Sequence, residues 1–359
     1  MSHDDAARPY EKAAAGIRPA DADAARAAAE HHDRLTKPRG ALGHLETIGI
    51  RLADIAGQCP PPVPDPAAVA VFAADHGVAA AGVTPWPAEV TRQMVLNFSA
   101  GGAAINALAR QTGARVLVVD VGVAAELDAG DGLLIRKVRG GTADLSAGPA
   151  MSRDEAQQAL DVGVEVAERL VGQGARCLIT GDMGIGNTTA SAALIAYVTG
   201  RPADEVTGRG TGIDDEMWRH KVTVVAGAVA RARATPGDVV EALAEVGGLE
   251  IGALAGYVLA AARQRVPVLI DGVVAAAALG VAHALQPAVA DYCIAGHLSA
   301  EPGAGVLLGH VSLRPVLDLG MRLGEGTGAC LSLPLVQAAA RVLNEMATFD
   351  AAGVIDKDG

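Results

Sequence analysis

The sequence predicts an α/β fold, a Rossmann-like parallel sheet with helices on both faces, plus a small helical domain formed by the N- and C-terminal segments. Short apolar runs that are rich in β-branched residues recur along the chain, and helical stretches separate them. Half of the 359 residues are hydrophobic, so the chain can bury a large core. Strands that alternate with helices in this way form parallel sheets that are covered on both faces.

The N-terminal part is predicted to be helical, since residues 20–34 and 42–56 place apolar side chains at helical spacing. A proline-rich linker, residues 59–66, follows them and marks the entry into the sheet. The tail of the chain is again helical in pattern. We therefore predict two domains: a small helical domain, residues 1–62 with 330–359, and a large α/β domain, residues 63–329.

Five strands are predicted in the large domain, each closed by small or polar residues: 67–77, 114–122, 175–184, 266–272 and 288–297. Open parallel sheets bind ligands beyond the carboxyl ends of their strands. The polar residues that end all five runs therefore predict a ligand site at that edge of the sheet.

Composition excludes several function classes. A net charge of -12, with no run of basic residues, argues against nucleic-acid binding. The four cysteines are widely separated, so a zinc ribbon or a disulfide framework is not expected. The N-terminus is polar, unlike a signal peptide, and the longest apolar stretch is too short to cross a membrane. We expect a soluble cytoplasmic protein.

The stretch "GDMGIGNTT", residues 181–189, follows the third predicted strand. It fails the P-loop pattern because Asn187 stands where the lysine is required, and it fails the dinucleotide pattern because Thr189 replaces the third glycine. What remains is a strand, a glycine turn and a helix N-terminus, whose free amides suit one phosphate monoester with help from Thr188. A tight turn without a ligand explains the composition equally well.

Other polar residues at strand ends are less specific. Asp75 and His76 could be a pair of metal ligands, but a structural role, in which the carboxylate ties loops together, explains them better. Lys221 is expected to be an ordinary surface lysine. Ser299 lies on a loop, where binding residues are common. Glu325 is different, because glycine on both sides lets its backbone approach a ligand closely. That pattern favours a functional carboxylate.

Taken together, these segments resemble the nicotinate-nucleotide:dimethylbenzimidazole phosphoribosyltransferase family, which makes the lower-ligand nucleotide of cobalamin. The resemblance runs from about Leu35 to the tail. It rests on eight motifs in the family's order: "LTKPRGALGHLE", "ADHGV", "GVTPWPAEVTRQMVLNFSAGGAAINALAR", "GDMGIGNTT", "GRGTGIDDE", "DG" at Asp271, "GHLSAEPG" and "LGEGTGA".

The resemblance implies the reaction and the site. Ribose phosphate would pass from nicotinate mononucleotide to 5,6-dimethylbenzimidazole, with Glu325 as the catalytic carboxylate. Asp182, where the family more usually has a glutamate close to the ribose, is a second catalytic candidate, and Gln93 belongs to the segment that lines the base pocket. The residues expected around the mononucleotide and its phosphate are Gly184, Gly186, Asn187, Thr188, Lys221, Gly272 and Ser299. The family is homodimeric, so we expect a homodimer.

The implied chemistry needs one general base and no metal or other cofactor. Nicotinate leaves from an already positive pyridinium without a proton, and the incoming benzimidazole must lose its N–H proton as it attacks. Two alternatives stay open: the same transferase acting on a phenol, adenine or another benzimidazole, and a non-catalytic nucleotide-binding regulator. A nicotinamide-dinucleotide oxidoreductase fails the fingerprint test above.

Overall fold

The computed structural model describes residues 7–130, 132–210 and 212–355. The outermost residues of the predicted small domain, 1–6 and 356–359, lie outside this part of the chain. In the described residues, six parallel strands form one sheet: β1 (Ala67–Ala74), β2 (Arg115–Gly122), β3 (Leu133–Ile135), β4 (Cys177–Met183), β5 (Val268–Ile270) and β6 (Cys293–Ala295). Their order is β3-β2-β1-β4-β5-β6, so the chain reverses direction across the sheet between β1 and β4. In such sheets that switch point is where ligands bind.

Helices cover both faces of the sheet, which confirms the predicted fold class. In the described residues they are α1 (Pro9–Gly16), α2 (Ala22–Arg34), α3 (His44–Ala56), α4 (Glu89–Ser99), α5 (Ala104–Thr112), α6 (Arg153–Gly172), α7 (Asn187–Thr199), α8 (Ala203–Val206), α9 (Asp215–Ala234), α10 (Val239–Val246), α11 (Leu249–Arg263), α12 (Val273–Leu285), α13 (Pro302–His310), α14 (Thr327–Glu345) and α15 (Phe349–Ala352). The two predicted N-terminal helices correspond to α2 and α3. Across the same residues, none of these helices combines the length and apolarity that a membrane crossing requires.

Two differences from the predicted strands have local causes. The run predicted over 288–297 forms a strand only at Cys293–Ala295, because Pro287–Tyr292 winds into a 3-10 helix that begins with a proline. Strand β3 was not predicted, since three residues give too short a pattern to recognise.

The core has two layers, one on each face of the sheet. Every residue of β1 is buried, and alternate side chains point to opposite faces. Phe72 belongs to the layer that includes α11, where its ring meets that of Tyr257 edge-on at 5.5 Å. Val71 belongs to the other layer, together with Ile48 of α3 and Leu333 of α14. Because α3 and α14 share this layer with the strands, the helical segments pack directly on the sheet. The predicted division into two domains stays a prediction.

Helices α6 and α11 approach each other closely because glycine stands at their crossing. A Cβ atom on Gly163 would lie 1.8 Å from the carbonyl oxygen of Ala253, and one on Gly256 would lie 1.9 Å from that of Leu160. Neither position can hold a larger residue without moving backbone. This contact fixes α11 across the sheet, and α11 in turn carries a buried carboxylate toward the switch point.

Candidate active site

The glycine loop, residues 184–186, joins β4 to α7 at the switch point. A Cβ atom on Gly184 would lie 2.4 Å from the carbonyl oxygen of Ala74, so this glycine allows the loop to pack against the end of β1. Gly186 has φ +95° and forms the N-cap of α7, a conformation that favours glycine. The loop therefore presents the N-terminus of α7 beside the carboxyl ends of β1 and β4.

A cavity of about 110 Å³ opens next to the glycine loop. It contains most of the residues that the sequence placed around the mononucleotide. The predicted site residues that line it are Asp182, Gly184, Asn187, Thr188, Gly272 and Ser299. Five separate segments of the chain meet here: those that follow β4, β5 and β6, the turn around Gly210, and residues 322–324.

Lys221, on α9, reaches the cavity wall through Thr188. Its Nζ donates to the Thr188 hydroxyl at 2.8 Å, and the residue is only 1% exposed. Burial lowers the pKa of Lys221 to about 8, although the carboxylate of Glu301 acts in the opposite direction. The expectation of a surface lysine was wrong. A desolvated ammonium group beside a helix N-terminus is well suited to an anion.

The turn around Gly210 closes one side of the cavity and is held from two directions. Its amide donates to Glu301 Oε1 at 2.8 Å, and its carbonyl accepts a hydrogen bond from Arg322. Glu301 also donates its own amide to the hydroxyl of Ser299 at 3.3 Å. The resemblance placed Ser299 in the site. Glu301 lies on the same polar loop, where binding residues are common, and Arg322 begins the segment that carries Glu325, but sequence patterns assigned neither of them a specific role.

Glu325 is 4% exposed and lies on strained backbone, with φ +63° between Gly324 and Gly326 at +85° and +90°. Its carboxylate accepts a hydrogen bond from the Ile105 amide at 3.2 Å. The segment lies directly over β4, since a Cβ atom on Gly181 would come within 2.7 Å of the Glu325 carbonyl oxygen. Non-glycine residues with positive φ are uncommon, and the residue before this one, Gly324, lines the cavity.

Burial and neighbouring negative charge raise the pKa of two carboxylates at this edge, Glu325 and Asp182. Burial raises the pKa of Glu325, and the charge of Asp271 adds to the effect, while the bond from Ile105 opposes it. Burial, followed by the charge of Asp271, raises the pKa of Asp182 well above its usual value. Asp271 itself accepts from the amides of Gly326 and Ala329 at 3.2 and 2.9 Å, at the N-terminus of α14. These carboxylates form an acidic cluster at the ends of β4 and β5 and beside the start of α14.

Asp182 has only part of its hydrogen-bonding capacity used by the protein. Asn187 Nδ2 donates to Asp182 Oδ2 at 3.0 Å, whereas Oδ1 has no partner among the described residues. An unpaired buried oxygen that lines a cavity can accept a hydrogen bond from a ligand hydroxyl.

Gln93 is exposed on α4 and is not among the residues that line the cavity. The helix nevertheless touches the glycine loop, because Thr91 accepts a hydrogen bond from the Ile185 amide at 3.1 Å. The role of Gln93 in a base pocket stays a prediction.

Asp75 and His76, at the end of β1, have separate partners. Asp75 accepts from the Ala124 amide at 2.8 Å and so ties two loops together, as expected. The His76 ring lies 2.6 Å from the carboxylate of Glu250, on α11. Among the described residues, no group of three or more histidine, cysteine, aspartate or glutamate side chains is arranged to hold a metal ion.

A parallel sheet whose switch point joins an anion cavity to buried carboxylates is typical of enzymes that act on nucleotides and sugar phosphates. A family model described as Phosphoribosyltransferase matches residues 17–354. The chain therefore belongs to the phosphoribosyltransferase family of that model.

Its relatives are similar over nearly their whole length. Two are named nicotinate-nucleotide–dimethylbenzimidazole phosphoribosyltransferase. The protein of Salinispora tropica is 54% identical over 97% of this chain and 99% of its own length. That of Chloroflexus aggregans is 54% identical over 95% of this chain and 96% of its own. The solved structure of CobT from Thermus thermophilus is 50% identical, with a TM-score of 0.90, and covers 93% of this chain and 99% of that chain.

Proposed function

We propose that this protein transfers the ribose phosphate of nicotinate mononucleotide to 5,6-dimethylbenzimidazole, giving α-ribazole 5′-phosphate and nicotinate for the nucleotide loop of cobalamin. The names of its full-length relatives support this reaction. The observation in the structure that carries it is Glu325, a buried carboxylate on strained backbone next to a cavity suited to an anion.

In this proposal the two sides of the site bind the two ends of the mononucleotide. The phosphate lies at the N-terminus of α7 and near Lys221, where amides, the Thr188 hydroxyl and one ammonium group can neutralise it. The ribose extends toward Asp182, whose unpaired Oδ1 accepts from a sugar hydroxyl. The reacting carbon then faces the acidic cluster. Negative charge there stabilises the positive character that develops on the ribose.

Glu325 serves as the general base. As one benzimidazole nitrogen attacks the ribose carbon, the bond to the pyridine nitrogen breaks and nicotinate leaves with that electron pair. The other benzimidazole nitrogen loses its proton to Glu325. A raised pKa brings the carboxylate closer to the pH at which a base both stays ionised and accepts a proton well. Attack from the face opposite the leaving group converts a β-linked sugar into an α-linked product.

The direct test is an assay of the purified protein with nicotinate mononucleotide and 5,6-dimethylbenzimidazole. We expect nicotinate release that depends on the base, together with equimolar α-ribazole phosphate, measured by chromatography. The same assay with adenine, phenols and other benzimidazoles shows whether a different base is the main acceptor. Mononucleotide binding without nicotinate release, whatever the base, would instead identify a non-catalytic regulator.

We also propose that the protein works as a homodimer in the cytoplasm. The four cysteines are free, which is typical of a reducing compartment. The dimer follows from the family resemblance. Analytical ultracentrifugation of the full chain should give twice the monomer mass of 36.1 kDa, and a single monomeric species would contradict the dimer.

A further inference from the structure

The His76 ring lies between two glycine-containing backbone segments. On one side, Cβ atoms added to Gly184 and Gly186 would each come within 3.3 Å of His76 atoms. On the other side, a Cβ atom on Gly248, at the start of α11, would come within 2.5 Å of the ring carbon Cε1. Glycine at these positions lets the imidazole fill the space between α11 and the glycine loop. Its side chain is 0% exposed.

The partner of His76 is also buried. Glu250 Oε1 lies 2.6 Å from His76 Nε2, and the Glu250 side chain is likewise 0% exposed. The remaining polar atoms of the pair, His76 Nδ1 and Glu250 Oε2, have no partner among the described residues. A buried polar pair of this kind is usually no more stabilising than apolar side chains of similar volume, because both groups lose their hydration. Stability alone therefore does not account for a histidine here.

The pair does connect a rigid element to the functional loop. Glycine contacts with α6 fix α11, which carries Glu250 at its second position. Glu250 orients the imidazole through their hydrogen bond, and the His76 side chain packs against Gly184 and Gly186. Thr91 holds Ile185, between these glycines, from α4. The loop that presents the N-terminus of α7 is therefore supported from two directions.

We propose that His76 is a positioning residue for mononucleotide binding, which acts through the glycine loop and is itself oriented by Glu250. This inference rests on the function proposed above. His76 does not touch the nucleotide in this arrangement; it sets the position of the loop backbone that binds the phosphate. Loss of the imidazole should therefore weaken binding of nicotinate mononucleotide and leave binding of the base unaffected.

The test compares His76→Leu with His76→Gln. Leucine fills most of the space but cannot form a hydrogen bond with Glu250. The side-chain amide nitrogen of glutamine can reach the position of His76 Nε2 and donate a hydrogen bond to Glu250. We expect His76→Leu to raise the Kd and the KM for nicotinate mononucleotide by about 10-fold or more, since a displacement of about 1 Å can cost as much as 100-fold. His76→Gln should restore both to within about threefold of the wild type. Calorimetry with the mononucleotide and steady-state kinetics measure these values, and the KM for dimethylbenzimidazole should not change.

Phe72→Leu is the matched control, because it weakens the same contact between β1 and α11 farther from the loop. It should lower the melting temperature and leave the mononucleotide KM unchanged. If His76→Leu does the same, His76 is only structural and the inference is overturned. Failure of the wild type to bind the mononucleotide would overturn the proposed function and this inference with it.

Gly248→Ala tests the inference without removing the histidine. The new methyl group would lie 2.5 Å from His76 Cε1 and 2.7 Å from Glu250 Oε2, so the buried pair must shift, while the φ of −142° at Gly248 is open to alanine. We expect a raised Kd for the mononucleotide here as well. An unchanged Kd in this folded variant would also overturn the inference, even if His76→Leu could not be purified.

Discussion

Two glycine-rich segments meet in the candidate active site, and the glycines that contact or flank the two carboxylates are needed for different reasons. In residues 181–186, Gly181 and Gly184 leave room for backbone that crosses them at close range. In residues 324–326, both glycines adopt a left-handed backbone conformation, and Glu325 between them also has a positive φ. Gly181 and Gly184 are therefore required for the absence of a side chain, whereas Gly324 and Gly326, like Gly186, adopt a left-handed backbone that favours glycine.

The two carboxylates differ accordingly. Asp182 lies in a regular strand, and burial and neighbouring negative charge disfavour the ionised form of its carboxyl group. Glu325 adds backbone strain of about 1–2 kcal/mol to its burial. The hydrogen bond from Gly326 to Asp271 stabilises that strained turn. Burial together with strained backbone therefore supports the reactive role proposed for Glu325.

The strongest test of that assignment is Glu325→Gln. Glutamine keeps the size and can still accept from Ile105, but it cannot take a proton. We expect turnover to fall by about 10²–10⁴-fold with the mononucleotide KM little changed, as measured by nicotinate release.

Glu345→Gln is the control, since this residue lies at the end of α14, the helix that follows Glu325, in an exposed pair with Arg341. Its kinetics should match the wild type. Near-normal turnover in Glu325→Gln would show that the strained segment is not the source of the base.

The contact between the two segments can be broken with Gly181→Ala. The added methyl group would lie 2.7 Å from the Glu325 carbonyl, so backbone must move. We expect turnover to fall by about 10–100-fold, because Glu325 shifts relative to the ribose. Gly172→Ala, where nothing lies within 4 Å of the new atom, should leave kinetics unchanged. If both variants behave alike, the two segments are not mechanically coupled.

Lys221 belongs to the proposed phosphate site, which is separate from the carboxylates of Asp182 and Glu325. Lys221→Ala should raise the mononucleotide KM by about 10–100-fold, as expected for loss of a charged hydrogen bond. In the wild type, the ammonium loses its proton as the pH rises past about 8, so kcat/KM for the mononucleotide should fall above that pH. Lys12→Ala, at an exposed position, is the control for general charge effects. A pH profile that is flat between 7 and 9 would contradict the phosphate assignment.

The sequence predicted the fold, because alternating strands and helices leave a readable pattern, and it predicted the edge of the sheet at which the candidate cavity lies. Glycine on both sides of Glu325 was an equally local signal. The burial of Lys221 was not predictable in this way, since it arises when α9 packs against α7, far away in sequence. The pattern around residue 221 is that of a surface helix.

The same limit explains the residues that were missed. Glu250 lies in an almost wholly apolar helix, and nothing near it in sequence identifies His76 as its partner 174 residues away. Arg322 precedes the Glu325 motif but contacts Gly210 on a distant turn. A sequence pattern shows which residues a segment contains, and only the fold shows what it contacts.

The smallest expected effect is a change in the stability of the protein, and not in its turnover, when the charge of Asp182 is removed. Asp182 has a raised pKa in the folded protein, so the folded state favours its protonated form, and the cost of its buried charge grows as the pH rises above the usual aspartate range. Asp182→Asn removes that charge and still accepts from Asn187. In the absence of nucleotide, we expect a gain in unfolding free energy on the order of 1 kcal/mol at pH 8, and less at pH 5. Chemical denaturation at both pH values measures it. A loss of stability at pH 8 would mean that the ionised carboxylate is better compensated than its surroundings indicate, and that the first segment is no less favourable a place for a charge than the second.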